Sequence, residues 1–108
     1  MTIPEIDAMV GQIGLPYAYY QFPETGQQPP FICWFFDGID DVYGDNINYQ
    51  RIAVLNIEFY SEEKDFVTEG AIETVLTLNG FSYVKDESYI DSEKMHLTVY
   101  TLEVLING

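Results

Sequence analysis

The stretch Asn48–Gly80, NYQRIAVLNIEFYSEEKDFVTEGAIETVLTLNG, changes its hydrophobic period part-way along. In the first half Leu55, Ile57 and Phe59 alternate with Asn56 and Glu58, the period of two that puts one face of a strand into a core. After Ser61 the spacing becomes helical. Phe66, Val67, Ala71, Val75 and Leu78 form a broad apolar face that is expected to pack on a sheet. Ser61 reads as the N-cap, with Glu62, Glu63 and Asp65 at the positive end of the helix dipole and Asn79-Gly80 as the stop. A strand over 48–60 followed by a helix makes this an α+β chain.

Toward the N-terminus, Phe31–Asn48 reads FICWFFDGIDDVYGDNIN, an apolar run that meets a segment studded with aspartates. The uniform apolarity of 31–36 predicts a strand buried on both faces, and 37–48 reads as an acidic loop. Pro29 and Pro30 can lead into that strand but cannot donate within its ladder. Tyr17–Phe22 suits a short aromatic strand. In TIPEIDAMVGQIG, Ile3, Ile6, Met9, Val10 and Ile13 recur at helical spacing and Thr2 with Glu5 has the form of a capping box. That predicts a helix over about 3–12, stopped by Gly14 and Pro16. Toward the C-terminus, 81–85 and 94–105 read as strands, with the polar DESYIDSE as a turn between them. The order implies a single domain over 1–108, with one mixed or antiparallel sheet of about five strands and two helices packed on it.

Composition narrows the function. With 47% hydrophobic and 16% aromatic residues, the chain can build a core and lies far from the signature of disorder. Eighteen acids against four bases give a net charge of -14, which repels DNA, RNA and anionic lipid, so sequence-specific nucleic-acid binding is not expected. The acids are spread along the chain rather than gathered in a tail. Cys33 is the only cysteine, which rules out an intramolecular disulfide and a cysteine-rich metal site. No stretch approaches the roughly 20 apolar residues of a membrane span. The N-terminus lacks the basic region of a secretory signal, so synthesis in the cytoplasm is expected.

Chemistry is sparse. His96 is the only histidine, which excludes a two-histidine metal site, and no motif joins it to Cys33 or a serine in a triad. The loop fails the ligand register of a calcium site: counted from Asp37, positions 3, 6 and 12 are Ile39, Val42 and Asn48. Gly38 and Gly44 flank Asp40 and Asp41 without the lysine of a phosphate-cradling loop. No catalytic, cofactor-binding or metal-binding residue is therefore expected. What the loop does carry is apolar side chains among its acids. Ile39, Asp40, Asp41, Val42, Tyr43, Asp45, Asn46, Ile47 and Tyr49 are thus the candidate subunit or partner interface, the alternative being that they fold back on the core.

Several motifs in a fixed order carry a resemblance. They are Leu15-Pro16, Ala18, Tyr19 and Phe22; the Pro-Pro pair ahead of an apolar strand; Asp45-Asn46 ahead of Tyr49; Ile57–Asp65 (IEFYSEEKD); and Tyr89-Ile90 with Ser92-Glu93 before the last strand. Together, over about residues 3–104, they resemble the tail-completion proteins encoded in the head-to-tail gene block of siphophages and prophages of Gram-positive bacteria. The resemblance implies an α+β subunit of a homo-oligomeric ring, commonly a hexamer, located in the tail or neck of a virion. Such a ring caps the tail-tube protein, ends tail polymerisation and presents the surface that meets the head connector protein. It implies no catalytic residue, no cofactor and no membrane contact. A stopper or other neck connector, and an acidic inhibitor that mimics DNA, are the alternative functions.

Overall fold

A computed structural model describes residues 1–22, 26–42 and 50–106, with residues 39–42, 50 and 51 described by their backbone alone. The chain runs α1 (Ile3–Gly11), β1 (Tyr17–Tyr19), β2 (Phe31–Val42), β3 (Gln50–Ser61), α2 (Phe66–Leu78), β4 (Val84–Ile90) and β5 (Met95–Ile106). The strands form one sheet in the order β1-β2-β3-β5-β4. β1 pairs parallel to β2, and every other pairing is antiparallel. This is the expected α+β architecture: a mixed five-stranded sheet carrying two helices.

Strand alternation sorts the sheet into two faces. Ile32 and Trp34 of β2, Leu55, Ile57 and Phe59 of β3, and Tyr100, Leu102 and Val104 of β5 share one face. They are buried in a single cluster with Ile6, Met9 and Val10 of α1 and Ile72 and Leu76 of α2. Both helices therefore cover the same side. Burial of each large apolar side chain there contributes about 1.5–3 kcal/mol, so this layer holds the fold together. Among the described residues, the opposite side of the sheet carries no helix.

Local chemistry fixes the ends of the elements. The Thr2 hydroxyl accepts from the Glu5 amide at 3.3 Å while the Glu5 carboxylate accepts from the Thr2 amide at 2.9 Å, the expected capping box. β1 is shorter than the sequence suggests. Tyr20 takes a φ of +67°, a left-handed conformation that a strand cannot continue through. α2 starts at Asp65 rather than Ser61. The Asp65 side chain accepts from the Thr68 amide at 3.0 Å and from the Thr68 hydroxyl at 2.6 Å, whereas Ser61 is the last residue of β3. Gly80, with a φ of +87°, ends α2 as expected.

Two strands differ from the sequence reading. β2 does not stop at Phe36 but runs to Val42, through a β-bulge between Phe36 and Gly38. Phe36 pairs with Leu55 and Gly38 with Val54, so Asp37 is the extra residue. β4 occupies 84–90, most of the segment read as a turn, and the connection to β5 is confined to 91–94. β4 is an edge strand with almost every side chain exposed, so it has no apolar alternation to read.

α2 is fastened by an ion cluster. Glu69, 2% exposed, lies 2.8 Å from both Lys64 Nζ and Lys85 Nζ. Lys85 also meets Glu73 at 2.8 Å, Lys64 meets Glu87 of β4, and the Tyr100 hydroxyl donates to Glu73 at 2.8 Å. The hydrogen bond from Lys85 is the main reason that the Glu73 carboxyl titrates below its ordinary value of 4.5, and Lys64 lowers Glu87 in the same way. For a carboxylate whose value is lowered by folding, the stability gained is present above the ordinary value and lost as the pH falls below it. Thermal stability is thus expected to decline as the pH drops from 5 to 3. Glu69→Ala, which removes the buried partner shared by two partly exposed lysines that keep Glu87 and Glu73, is expected to lower the unfolding free energy by about 1–2 kcal/mol in urea denaturation.

Candidate functional site: two uncovered faces

α2 is inverted relative to its expected orientation. Phe66, Val67, Ala71 and Leu78 face away from the sheet, while Glu69, Ile72 and Leu76 are buried beneath the helix and Val75 is half-buried. Phe66, Val67 and Leu78 are 75%, 85% and 80% exposed. Between them the outward surface consists of Gly70, Ala71, Thr74 and Thr77. The two carboxylates of the helix, Glu69 and Glu73, both turn to the lysine cluster. A chain with a net charge of -14 thereby presents an exposed helix face whose own side chains carry no charge, with the Lys64 ammonium 4.9 Å from the Phe66 ring at one end.

Gly70 adds to the oddity. A methyl group at its Cα would meet nothing within 4 Å, and the residue does not lie at positive φ. Neither turn geometry nor internal packing asks for glycine there, and glycine in a helix costs about 1 kcal/mol relative to alanine.

The second uncovered surface is the far side of the sheet. Cross-strand register sets Phe35, Asn56, Thr101 and Val84 in one row and Cys33, Glu58, Val99 and Asp86 in the next. Val84 is 63% exposed and Leu105, on the same face, 48%. The polar groups in the middle of this face are paired with each other. The Thr101 hydroxyl donates to Asn56 Oδ1 at 2.8 Å, and the Tyr60 hydroxyl donates to Glu58 Oε1 at 3.1 Å. Toward one end, Phe31 stacks on Tyr60 with ring centroids 4.7 Å apart and meets Phe22 edge-on. An open groove lies there, lined by Tyr20, Phe22, Phe31, Cys33, Tyr60 and Lys94 among others.

The titratable groups on this face are set by burial. Desolvation raises the Glu58 carboxyl above its ordinary value, only partly offset by the hydrogen bond from Tyr60. Burial, followed by the Glu58 charge, pushes the Cys33 thiol up, which keeps it in the protonated, unreactive form at neutral pH. His96 stacks edge-on with Tyr89, with ring centroids 5.0 Å apart, across the β4–β5 pair. Among the described residues no group of three or more His, Cys, Asp or Glu is placed to hold a metal ion. Likewise, no described helix is long and apolar enough to cross a membrane.

Of the residues that the sequence singles out between 37 and 49, Ile39, Asp40, Asp41 and Val42 belong to the β2 ladder, opposite Ala53, Ile52, Arg51 and Gln50. Tyr43, Asp45, Asn46, Ile47 and Tyr49 lie outside the described residues. The α2 face and the open sheet were not anticipated. A signal for the first does exist in the sequence: Glu69, Ile72, Val75 and Leu76 follow helical spacing as well as the outward set does, and two of the four basic residues flank the helix.

No family model and no curated protein matches the chain. Among solved structures, a chain from the virion of a native gene transfer agent particle superposes with a TM-score of 0.59 at 10% identity, over 93% of this chain and 84% of that one. The two share a fold. At that identity the likeness extends to the path of the backbone and no further.

Glu58→Gln keeps the acceptor for Tyr60 and removes the desolvated charge. A carboxyl raised by folding destabilises only when ionised, so the penalty is absent below its ordinary value of 4.5 and grows as the pH rises through the folded value. The variant is expected to melt higher than the wild type at pH 7, with the difference vanishing at pH 4.

Proposed function

We propose that the chain is a virion structural protein that caps the end of a phage-like tail tube as a ring and forms the surface to which the head is joined. The observation that carries this reading is the near-full-length fold match to a chain of a gene transfer agent virion. A match over 93% of the chain takes in nearly all of its elements rather than a recurrent motif within it. The motif series from Leu15 to Glu93 supports the position at the tail end, since it resembles tail-completion proteins.

The surface fits the role. A ring needs two different patches on each subunit that meet head to tail, and this chain has two uncovered faces of different shape, a helix and a sheet. The role is structural rather than catalytic. The remaining acids suit a neck through which DNA passes, because a wall of carboxylates repels the phosphate backbone and gives it nothing to adhere to. The segment 37–49 is the proposed lip toward a neighbour, and the partners are further copies of the chain, the tail-tube protein and the head connector protein.

Electron microscopy of tail-tube subunits polymerised with and without the purified protein tests the reading. The expected result is a ring at one tube end and tubes that stop growing once capped. Tubes of unchanged length with bare ends would overturn it.

A further inference from the structure

We infer that the uncharged face of α2 packs on the open sheet face of a second copy of the same chain, so that each subunit covers its neighbour's sheet with the helix it turns outward. The inference rests on the ring reading above for closure of the assembly, and the contact itself rests on three observations.

The first is charge. Two copies of a chain at -14 repel wherever carboxylates meet, and the open sheet carries Glu58 and Asp86, so the surface laid on it must be one from which charge has been removed. The outward face of α2 is such a surface, because Glu69 and Glu73 are bound to lysines on its inner side. A partner recognised by opposite charge would instead be met through carboxylates. A neutral face on an acidic chain points to another copy.

The second is shape. The middle of the face, Gly70, Ala71 and Thr74, is low, and Phe66 with Val67 at one end and Leu78 at the other stand above it. A side chain at Gly70 would meet nothing among the described residues, so the low middle serves close approach by something outside the chain. A helix of 13 residues is about 20 Å long. Five strands at about 4.8 Å spacing span about 19 Å, so one helix can cross the whole sheet.

The third is the receiving surface. Among the described residues the sheet face lacks a helix layer; it offers Phe35, Val84, Val99 and Leu105, and the Tyr60 and Thr101 hydroxyls on it already donate to Glu58 and Asn56. The two hydroxyl donors on it keep their partners when water is displaced. Helix on sheet joins two unlike patches, the geometry that propagates head to tail and closes into a ring when the rotation permits.

Cross-linking in a Cys33→Ala background tests this. Ala71→Cys on the helix and Val99→Cys on the open sheet are combined in one chain, treated with a short bismaleimide at high protein concentration and run on a denaturing gel. The expected result is a ladder of multimers from the double variant and none from either single variant. Dimers from Ala71→Cys alone would mean that two helices meet about a two-fold axis, and would overturn the inference. Closed rings by electron microscopy without a ladder would overturn it while the ring reading stands. A ladder without rings would do the reverse, and strict monomers without cross-links would overturn both. Val67→Glu with Leu78→Glu supplies a second readout. Both side chains are exposed, so folding is expected to be unchanged while assembly weakens by about tenfold or more. Gly70→Ala is expected to raise the melting temperature of the dilute subunit yet weaken assembly. An increase in both would overturn the close approach.

Discussion

The Glu69 carboxylate, held between Lys64 and Lys85, decides which side of α2 meets the sheet, and the surface of the subunit follows from that choice. Burying a carboxylate with its partners is expensive, and a cluster of this kind adds little net stability over an apolar replacement. Its consequence is orientation. Once Glu69 is committed inward, rotating the helix would take both carboxylates from Lys85, leave Lys64 only Glu87, and bring Val67 and Ala71 where Ile72 and Leu76 now fit. The Tyr100 hydroxyl, donating to Glu73, extends the same lock to β5 in the centre of the sheet.

Area alone does not predict that choice. The inward set, Ile72 and Leu76 with half-buried Val75, and the outward set, Phe66, Val67 and Leu78, are similar in apolar size. They differ in placement. The inward side chains sit in the middle of the helix, over the core strands, whereas the outward ones sit at its ends with Gly70, Ala71 and Thr74 between them. A hydrophobic face read from spacing weighs residues equally and ignores where along the helix they fall. It also assumes that carboxylates face water, which fails when two of four available cations lie beside the helix.

The rest of the fold was legible in proportion to how directly side-chain pattern expresses burial. β3 and β5 are inner strands with an alternating pattern, and the expected 48–60 and 94–105 lie within two residues of both. The capping box placed α1. β2 was cut short because its bulge inserts Asp37, so that the residues on either side break the period of two, and an acidic sequence past that point looks like a loop. β4 was shifted because an exposed edge strand has no core face to encode and carries charges of the kind that keep edges from pairing. At the site, the residues that the sequence suggested come from the aspartate-rich stretch, where acids and apolar side chains are conspicuous. The uncharged α2 surface was hidden because its mark is the absence of charge, visible only once the fold shows where Glu69 and Glu73 have gone.

The open sheet face poses the complementary question of why buried Phe31 and Cys33 should lie beside a desolvated Glu58 on the side away from the helices. In a monomer, Glu58 would be better hydrated with fewer apolar neighbours, and its raised titration is a standing cost. The hydrogen bonds from Tyr60 to Glu58 and from Thr101 to Asn56 change what that cost means. Groups that already have partners within the chain lose little when the remaining water is displaced, whereas free ones would each lose about 1–3 kcal/mol. A sheet arranged this way gives up some stability alone and resists covering less. The same holds for α2, where Gly70 weakens the isolated helix and leaves room above it. Gly70 and the desolvated Glu58 each cost the subunit stability, and each lies on one of the two surfaces proposed to meet.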